Sequence, residues 1–315
     1  MTARPWLRPA LEAAFWAAAL GAYFAFPDLL PLLSQVAIAA LFVLSLDLLV
    51  GFAGVLTLGQ AAFFGLGAYA AGILAQQGWG EPLSGLVLAA VLAGALGVLT
   101  APLVLRGGDL PALMVTLGLG LMLGEAANKL PGITGGADGL LGVEVWPVLG
   151  LFRFDLYGRT AFLYSLAVLF ALFLLARLVV SSPFGLALRG VRGNARRMPA
   201  LGTPVRARLV AVYGMAAAYA GVAGALLAQT TQFVSLDALS FGRSAEGLLM
   251  LVLGGLGSLY GALVGAAVFT VAHHLLSELS PLFWQFWIGA ALMAVALAGK
   301  GGVLGLFAAA LRRAS

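Results

Sequence analysis

Residues 177–208 read RLVVSSPFGLALRGVRGNARRMPALGTPVRAR, and they contain seven of the seventeen basic residues of the chain but no acidic residue. The sequence on either side of this basic segment is almost entirely apolar. A basic stretch between long apolar runs is typical of a cytoplasmic loop in a membrane protein, because lysine and arginine are retained on the inner side. The basic segment therefore predicts a polytopic membrane protein and indicates which of its ends faces the cell interior.

A short helix is predicted inside the basic segment. Ser182 is a suitable N-cap, Pro183 fits the first helical turn, and Pro199 ends the helix. Apolar residues at helical spacing form one stripe, and arginines lie on another face. The stripe comprises Phe184, Leu188, Val191, Ala195 and Met198, and the other face carries Arg189, Arg192 and Arg196. Because glycines within this helix each lower its stability by ~1 kcal/mol relative to alanine, the segment is either a solvated loop on anionic lipid or a helix that docks onto a partner protein.

The composition predicts an all-α membrane protein. Hydrophobic residues make up 62% of the chain and charged residues 9%, with a mean hydropathy of +1.06, whereas globular domains carry about 25% charged residues. Cysteine is absent, which excludes disulfides and thiolate metal sites. Aromatic residues do not interleave with the basic residues, so the net charge of +5 does not indicate nucleic-acid binding.

Ten membrane-spanning segments are predicted in a single domain that covers residues 1–315, with both termini in the cytoplasm. This arrangement places only Lys129, Arg153, Arg159 and Arg243 outside and leaves the other thirteen basic residues inside, as the positive-inside rule requires. It also makes residues 129–159 an extracytoplasmic loop. The segments are 11–26, 32–50, 56–76, 83–105, 111–128, 160–176, 209–229, two within 244–277, and 282–298.

Two groups of glycines are predicted to interrupt these segments. Residues 48–80 carry no charge, yet a single span needs only ~20 residues, so a break is expected at Gly51 and Gly54. A second break is expected near Gly254, Gly255 and Gly257. Such interruptions either line a substrate path or form tight turns between helices. The predicted path residues are Gly51, Gly54, Gln60, Thr116, Glu125, Gly254, Gly255 and Gly257.

Three acidic residues lie at apparent membrane depth, where ionisable groups are costly and are functional hypotheses by default. Asp47 and Glu246 lie near segment ends, where water or a cap would solvate them. Glu125 is expected to face a cavity or to pair with another helix. No set of acids and bases forms a proton relay, which argues against an ion-coupled transporter.

The sequence contains no constellation typical of an enzyme. HExxH, GxSxG and Walker A sequences are absent, so a P-loop ATPase activity of this chain is excluded. His273 and His274 are adjacent and would point about 100° apart on a helix, which makes them a poor metal site. The loop residues Thr134, Gly135, Gly136 and Gly139 are compatible with an anion-holding backbone nest.

Four stretches together resemble a known family. They are residues 47–69 (DLLVGFAGVLTLGQAAFFGLGAY), 134–140 (TGGADGL), 182–202 (SPFGLALRGVRGNARRMPALG) and 253–267 (LGGLGSLYGALVGAA). In this order they are similar to the M-type permease subunits of bacterial ABC importers for branched-chain amino acids. The resemblance covers most of the chain.

The resemblance implies a transport subunit of the bacterial inner membrane that forms half of a translocation path. A homologous second permease, two cytoplasmic ATPase subunits and an extracytoplasmic amino-acid-binding protein would be its partners. It would bind no cofactor, since the ATPase subunits would use the ATP. The residues implied to couple to the ATPases, within a coupling helix at 183–201, are Pro183, Phe184, Gly185, Leu188, Arg189, Val191, Arg192, Arg196 and Arg197.

Two alternatives remain open from the sequence. Related permeases carry ribose, urea or short amides, and the substrate is not fixed by these stretches. A secondary transporter driven by an ion gradient would need a coupled intramembrane acid, for which Glu125 is the best candidate.

Overall fold

A computed structural model describes residues 7–279 apart from 149, 151 and 156, together with residues 286, 289 and 290. Helices account for most of these residues, and the described part of the chain has only isolated β-bridges, such as Leu140 with Val234. The helices are α1 (Leu7–Ala25), α2 (Leu30–Leu46), α3 (Gln60–Gln76), α4 (Pro82–Val104), α5 (Asp109–Asn128), α6 (Pro131–Thr134), α7 (Arg159–Ser181), α8 (Pro183–Asn194), α9 (Val205–Thr231), α10 (Phe241–Gly254) and α11 (Leu259–Leu279). The prediction of an all-α bundle is confirmed.

Six helical stretches in the described part of the chain are long and apolar enough to cross a membrane. They are Pro27–Ala53, Pro82–Val104, Leu110–Asn128, Arg159–Ser181, Val205–Thr231 and Leu259–Leu279. By contrast, α10 has 14 residues, which gives it a length of ~21 Å against a hydrocarbon core of ~30 Å. The count of ten spans stays a prediction, and of its last segment only residues 286, 289 and 290 are described.

The centre of the bundle is formed by α9, which packs against α3 and α4. Close approach of these helices depends on small residues, as expected where no hydrophobic force drives helices together in lipid. A Cβ at Gly67 of α3 would overlap the carbonyl of Gly221, and a Cβ at Gly97 of α4 would lie 2.5 Å from Ala217. Glycine at these crossings is therefore required by packing.

A second central helix is α2, which is apolar all round and packs against α7, α9 and α11. A helix without a polar face belongs in an interior, and side chains such as Leu41, Val43 and Leu44 are fully buried. A π-helical turn, Asp47–Ala53, continues α2 and ends at Gly54, whose φ of 75° is left-handed. The break predicted at Gly51 and Gly54 is therefore present.

The basic segment and the 129–158 loop lie at opposite ends of the bundle. The 27-residue helix α9 begins at Val205, in the last residues of the basic segment, and is ~40 Å long. At its far end, the Leu140 N–H donates to the Val234 carbonyl at 2.7 Å. Through this contact the part of the loop around Leu140 lies against the end of the bundle that is away from α8.

Candidate functional site

The helix α8 follows α7 directly and docks onto the bundle through one face. Leu188 and Val191 are buried, and Gly185 lies so close to the Val180 carbonyl that no Cβ would fit there. The glycine that weakens the isolated helix is therefore needed for docking. The helix ends at Asn194, whereas the apolar stripe predicted a helix that reaches Met198; Ala195 is exposed and a short 3₁₀ turn, Met198–Leu201, follows.

Ser182 occupies the N-cap position of α8, as predicted, but its side chain does not cap the helix. The Ser182 hydroxyl instead donates to the Val179 carbonyl of α7 at 2.6 Å. Ser182 therefore stabilises the end of α7 rather than the beginning of α8.

Two arginines of α8 contact the π-helical turn. The Arg192 guanidinium donates to the Gly51 carbonyl, and the aliphatic stem of Arg192 lies against Gly54. The Arg189 guanidinium lies 5.3 Å from the centre of the Phe52 ring, in the arrangement of a cation–π contact. Arg196 and Arg197 are exposed beyond the end of α8.

The buried carboxylate of Asp47 joins the two glycine breaks. One carboxylate oxygen accepts a hydrogen bond of 2.7 Å from the Gly257 N–H, and Asp47 is fully buried. Its other oxygen has no hydrogen-bond partner among the described residues. The Asp47 carboxylate therefore acts as a cap. The group that it caps is the Gly257 N–H in the turn between α10 and α11, 210 residues further along the chain.

The geometry of both breaks requires glycine. The φ angles of Gly255 and Gly257 are 108° and 79°, in a region that side chains disfavour. A Cβ at Gly51 would overlap the Asp47 carboxylate, and a Cβ at Gly254 would overlap the Gly261 carbonyl. Both breaks are thus tight turns packed against each other and against Arg192. Their assignment to a substrate path stays a prediction.

Gln60 and Thr116 lie together at the beginning of α3, inside the bundle. The Gln60 amide donates to the Ser45 hydroxyl at 3.3 Å, and the Thr116 hydroxyl accepts from the Leu58 N–H at 3.3 Å. The Ser244 hydroxyl of α10 accepts from the Ala61 N–H at 2.9 Å. Ser244 satisfies a backbone donor that the first turn of α3 leaves open, Thr116 satisfies the Leu58 N–H just before the helix, and the Gln60–Ser45 bond joins two side chains.

Glu125 lies apart from this cluster. Its side chain is 58% exposed and forms an ion pair of 3.2 Å with Lys129, one turn further along the chain. The sequence predicted that Glu125 faces a cavity or pairs with another helix. Its partner is instead Lys129, which directly follows the end of the same helix, α5. The pair is local because both side chains project from the same face at i, i+4 spacing.

The Thr134–Gly139 loop is held by its own contacts. The Thr134 hydroxyl lies within hydrogen-bond distance of the carbonyls of Ala127 and Leu130, at 2.5 and 2.8 Å. Gly135, Gly136 and Gly139 have positive φ angles. The role predicted for this loop as an anion nest stays a prediction, and its observed contacts close the end of α5.

A cavity of about 400 Å³, which we call the polar cavity, lies between α2, α3, α9, α10 and α11. Glu246 lines it, 3.7 Å from the Arg243 guanidinium. Sequence reasoning singled out Glu246 but missed Arg243, because only the fold shows that the arginine faces two acids. No group of three potential metal ligands occurs in the part of the chain that the structure describes.

Residues 29–297 match the family of permease components of branched-chain amino acid transport systems. The LivM permease protein of the high-affinity branched-chain amino acid transport system of Salmonella typhimurium is 34% identical, over 75% of this chain and 60% of that protein. The LivM protein of Escherichia coli is 32% identical over the same shares. The matched region thus spans less than two thirds of the length of these relatives. No solved structure matches the chain.

Proposed function

The chain belongs to the permease-component family of branched-chain amino acid transport systems, and from this premise we propose that it forms half of the membrane path of an ABC importer for leucine, isoleucine or valine. ATP would be hydrolysed by partner subunits, and a second permease subunit would complete the path. An amino-acid-binding protein would deliver the substrate from outside. The location that follows is the bacterial inner membrane, with α8 on the cytoplasmic side.

The observation that carries this proposal is the contact of Arg192 with the Gly51 carbonyl. It supports a route by which motion at α8 reaches the interior of the bundle. Because the Asp47 carboxylate lies against Gly51 and accepts a hydrogen bond from Gly257, a displacement of α8 would act on the end of α2 and on the turn before α11 at once.

The exposed residues of α8 and of the segment that follows it suit contact with an ATPase subunit. Leu186 of α8 is 60% exposed, and beyond the helix Leu201 is 76% exposed and Arg196 and Arg197 are also exposed. An apolar anchor with cationic neighbours fits a groove lined by acidic residues. Closure of the ATPases would push on these residues, and rigid helices would switch the path between outward and inward access.

The test is to purify the tagged chain from its native membrane, identify its companions and reconstitute the complex in proteoliposomes. We expect two ATPase subunits and a second permease, with ATP-dependent uptake of labelled leucine, isoleucine or valine when a binding protein is present. Ribose and urea serve as competing substrates and should not reduce the uptake. Uptake driven by an ion gradient, without an ATPase, would contradict the proposal.

A further inference from the structure

The polar cavity lies at the end of the bundle that is away from α8. Gln35, which lines it, precedes Gly51 by sixteen residues on a nearly continuous helix, so the two ends are roughly 24 Å apart. His273 of α11 lines the cavity near the end of α11. One edge of the cavity therefore lies toward the side that the proposed function assigns to substrate entry.

The charged groups of the cavity carry an excess of negative charge. Arg243 lies 3.2 Å from the Asp237 carboxylate and 3.7 Å from the Glu246 carboxylate. Two carboxylates thus share one guanidinium. The longer Arg243–Glu246 distance leaves Glu246 only loosely paired. An ammonium group of a ligand beside Glu246 would balance the second negative charge, which Arg243 alone does not neutralise.

Two hydrogen-bonding groups beside these charges have no partner among the described residues. They are the Arg243 Nε and the Thr270 hydroxyl, both withdrawn from solvent. Buried polar groups are nearly always hydrogen-bonded. Both residues line the cavity, so a carboxylate of a ligand would supply the missing acceptor once these two side chains turn toward it.

Apart from Gln35 and His273, the remaining wall of the cavity is apolar. Phe42 and Phe64 lie on one side, with their ring centres 5.0 Å apart, and Met250 and Phe269 complete the wall. Ligand sites in proteins typically have volumes of ~300–1,000 Å³ and combine apolar walls with a few polar groups. The volume of about 400 Å³ accommodates an amino acid with water around its polar groups.

We infer that the polar cavity binds an α-amino acid with a branched aliphatic side chain. Glu246 and Asp237 take the ammonium group, Arg243 and Thr270 take the carboxylate, and the apolar wall encloses the side chain. The inference rests on the proposed function and deepens it, because it places substrate contacts on this chain at a site separate from the glycine breaks.

A diazirine analogue of leucine tests this site in the complete complex in proteoliposomes. After illumination during uptake, we expect label in peptides that contain Phe42, Phe64 or Met250, and excess leucine should suppress it. Label at residues 51–59 instead, with uptake intact, would overturn the inference and leave the proposed function standing. Absence of ATP-dependent branched-chain amino acid uptake by the unaltered complex would overturn the proposed function itself.

Two conservative variants add a second readout. Glu246→Gln and Thr270→Val should each lower the label and the uptake about tenfold, as expected when a charge-assisted hydrogen bond is lost. Their matched controls, Glu144→Gln in the exposed loop and Thr100→Val on α4, should change neither. Co-purification with the partner subunits verifies folding. Unchanged label and uptake in both cavity variants would contradict the inference.

Discussion

The backbone N–H of Gly257 donates to the buried carboxylate of Asp47 at 2.7 Å, across 210 residues of sequence. This bond fixes the turn between α10 and α11 against the π-helical turn at the end of α2. The same carboxylate is approached by the guanidinium of Arg192, which interacts with it electrostatically. The end of the bundle beside α8 is thus organised around one acid.

Replacement of Asp47 by alanine should destabilise the protein. The Gly257 N–H would lose its acceptor inside the bundle, which costs about 1–3 kcal/mol, whereas Asp47→Asn keeps an acceptor oxygen and should cost less. Thermal unfolding of the purified protein in detergent measures the difference. Asp28→Ala, at an exposed position, is the control, and equal melting temperatures for Asp47→Ala and Asp28→Ala would contradict the role given to this bond.

Charge reversal on α8 should uncouple ATP hydrolysis from uptake. In Arg189→Glu with Arg192→Glu, carboxylates replace the cations that contact the Phe52 ring and the Gly51 carbonyl. Insertion into the membrane should persist, because α8 lies outside the apolar helices. We expect the ratio of amino acid imported to ATP hydrolysed to fall at least tenfold.

Arg106→Glu makes the same change at an exposed position after α4. It should leave the ratio of uptake to hydrolysis near that of the unaltered complex. If Arg189→Glu with Arg192→Glu retained the normal ratio of uptake to ATP hydrolysis, the Arg192–Gly51 contact would have no role in coupling.

Alanine at Gly54 or Gly255 should lower stability and uptake together. Both residues have left-handed φ angles, 75° and 108°, which cost a residue with a Cβ about 1–2 kcal/mol. At Gly54 the added Cβ would also lie 2.9 Å from the Arg192 Cγ. Gly118→Ala is the control, since nothing lies within 4 Å of a Cβ there. Normal uptake and melting temperature in the Gly54 and Gly255 variants would show that the turns tolerate side chains.

Ser244→Ala should open the first turn of α3. The Ala61 N–H would lose the hydroxyl that accepts from it at 2.9 Å, with a cost of about 1 kcal/mol, as at other helix caps. Hydrogen–deuterium exchange of the peptide that contains Ala61 should become faster. Ser181→Ala, whose hydroxyl is exposed and bonds within its own helix, should leave that exchange unchanged. Equal rates in the two variants would refute the capping role of Ser244.

Local features of this fold could be predicted from the sequence because each has a local cause. The charge-free run of residues 48–80 is too long for one span, and its glycines mark the interruption after Ala53. Likewise, Pro183 begins α8 where expected. The third segment was predicted to begin near residue 56, but α3 begins at Gln60, because Thr57 and Thr116 hold the preceding residues in non-helical hydrogen bonds.

Long-range partners could not be predicted. Nothing in the basic segment indicates that Arg192 ends on the Gly51 carbonyl, 141 residues earlier, since a backbone acceptor has no sequence signature. Glu125 lies in a candidate membrane span, and only the fold shows that its partner is Lys129, four residues further on. The polar cavity is lined by residues of α2, α3, α9, α10 and α11 and of the turn before α10, and only their packing brings those groups together.

The hydrogen bond from Ala61 to Ser244 has a consequence for biosynthesis. The amide leaves the ribosome 183 residues ahead of the hydroxyl that accepts from it. The helices that are synthesised first must therefore remain in the bilayer, or beside the insertion machinery, while the Ala61 N–H lacks its acceptor. The core of this protein is completed only when the last third of the polypeptide has been threaded into place.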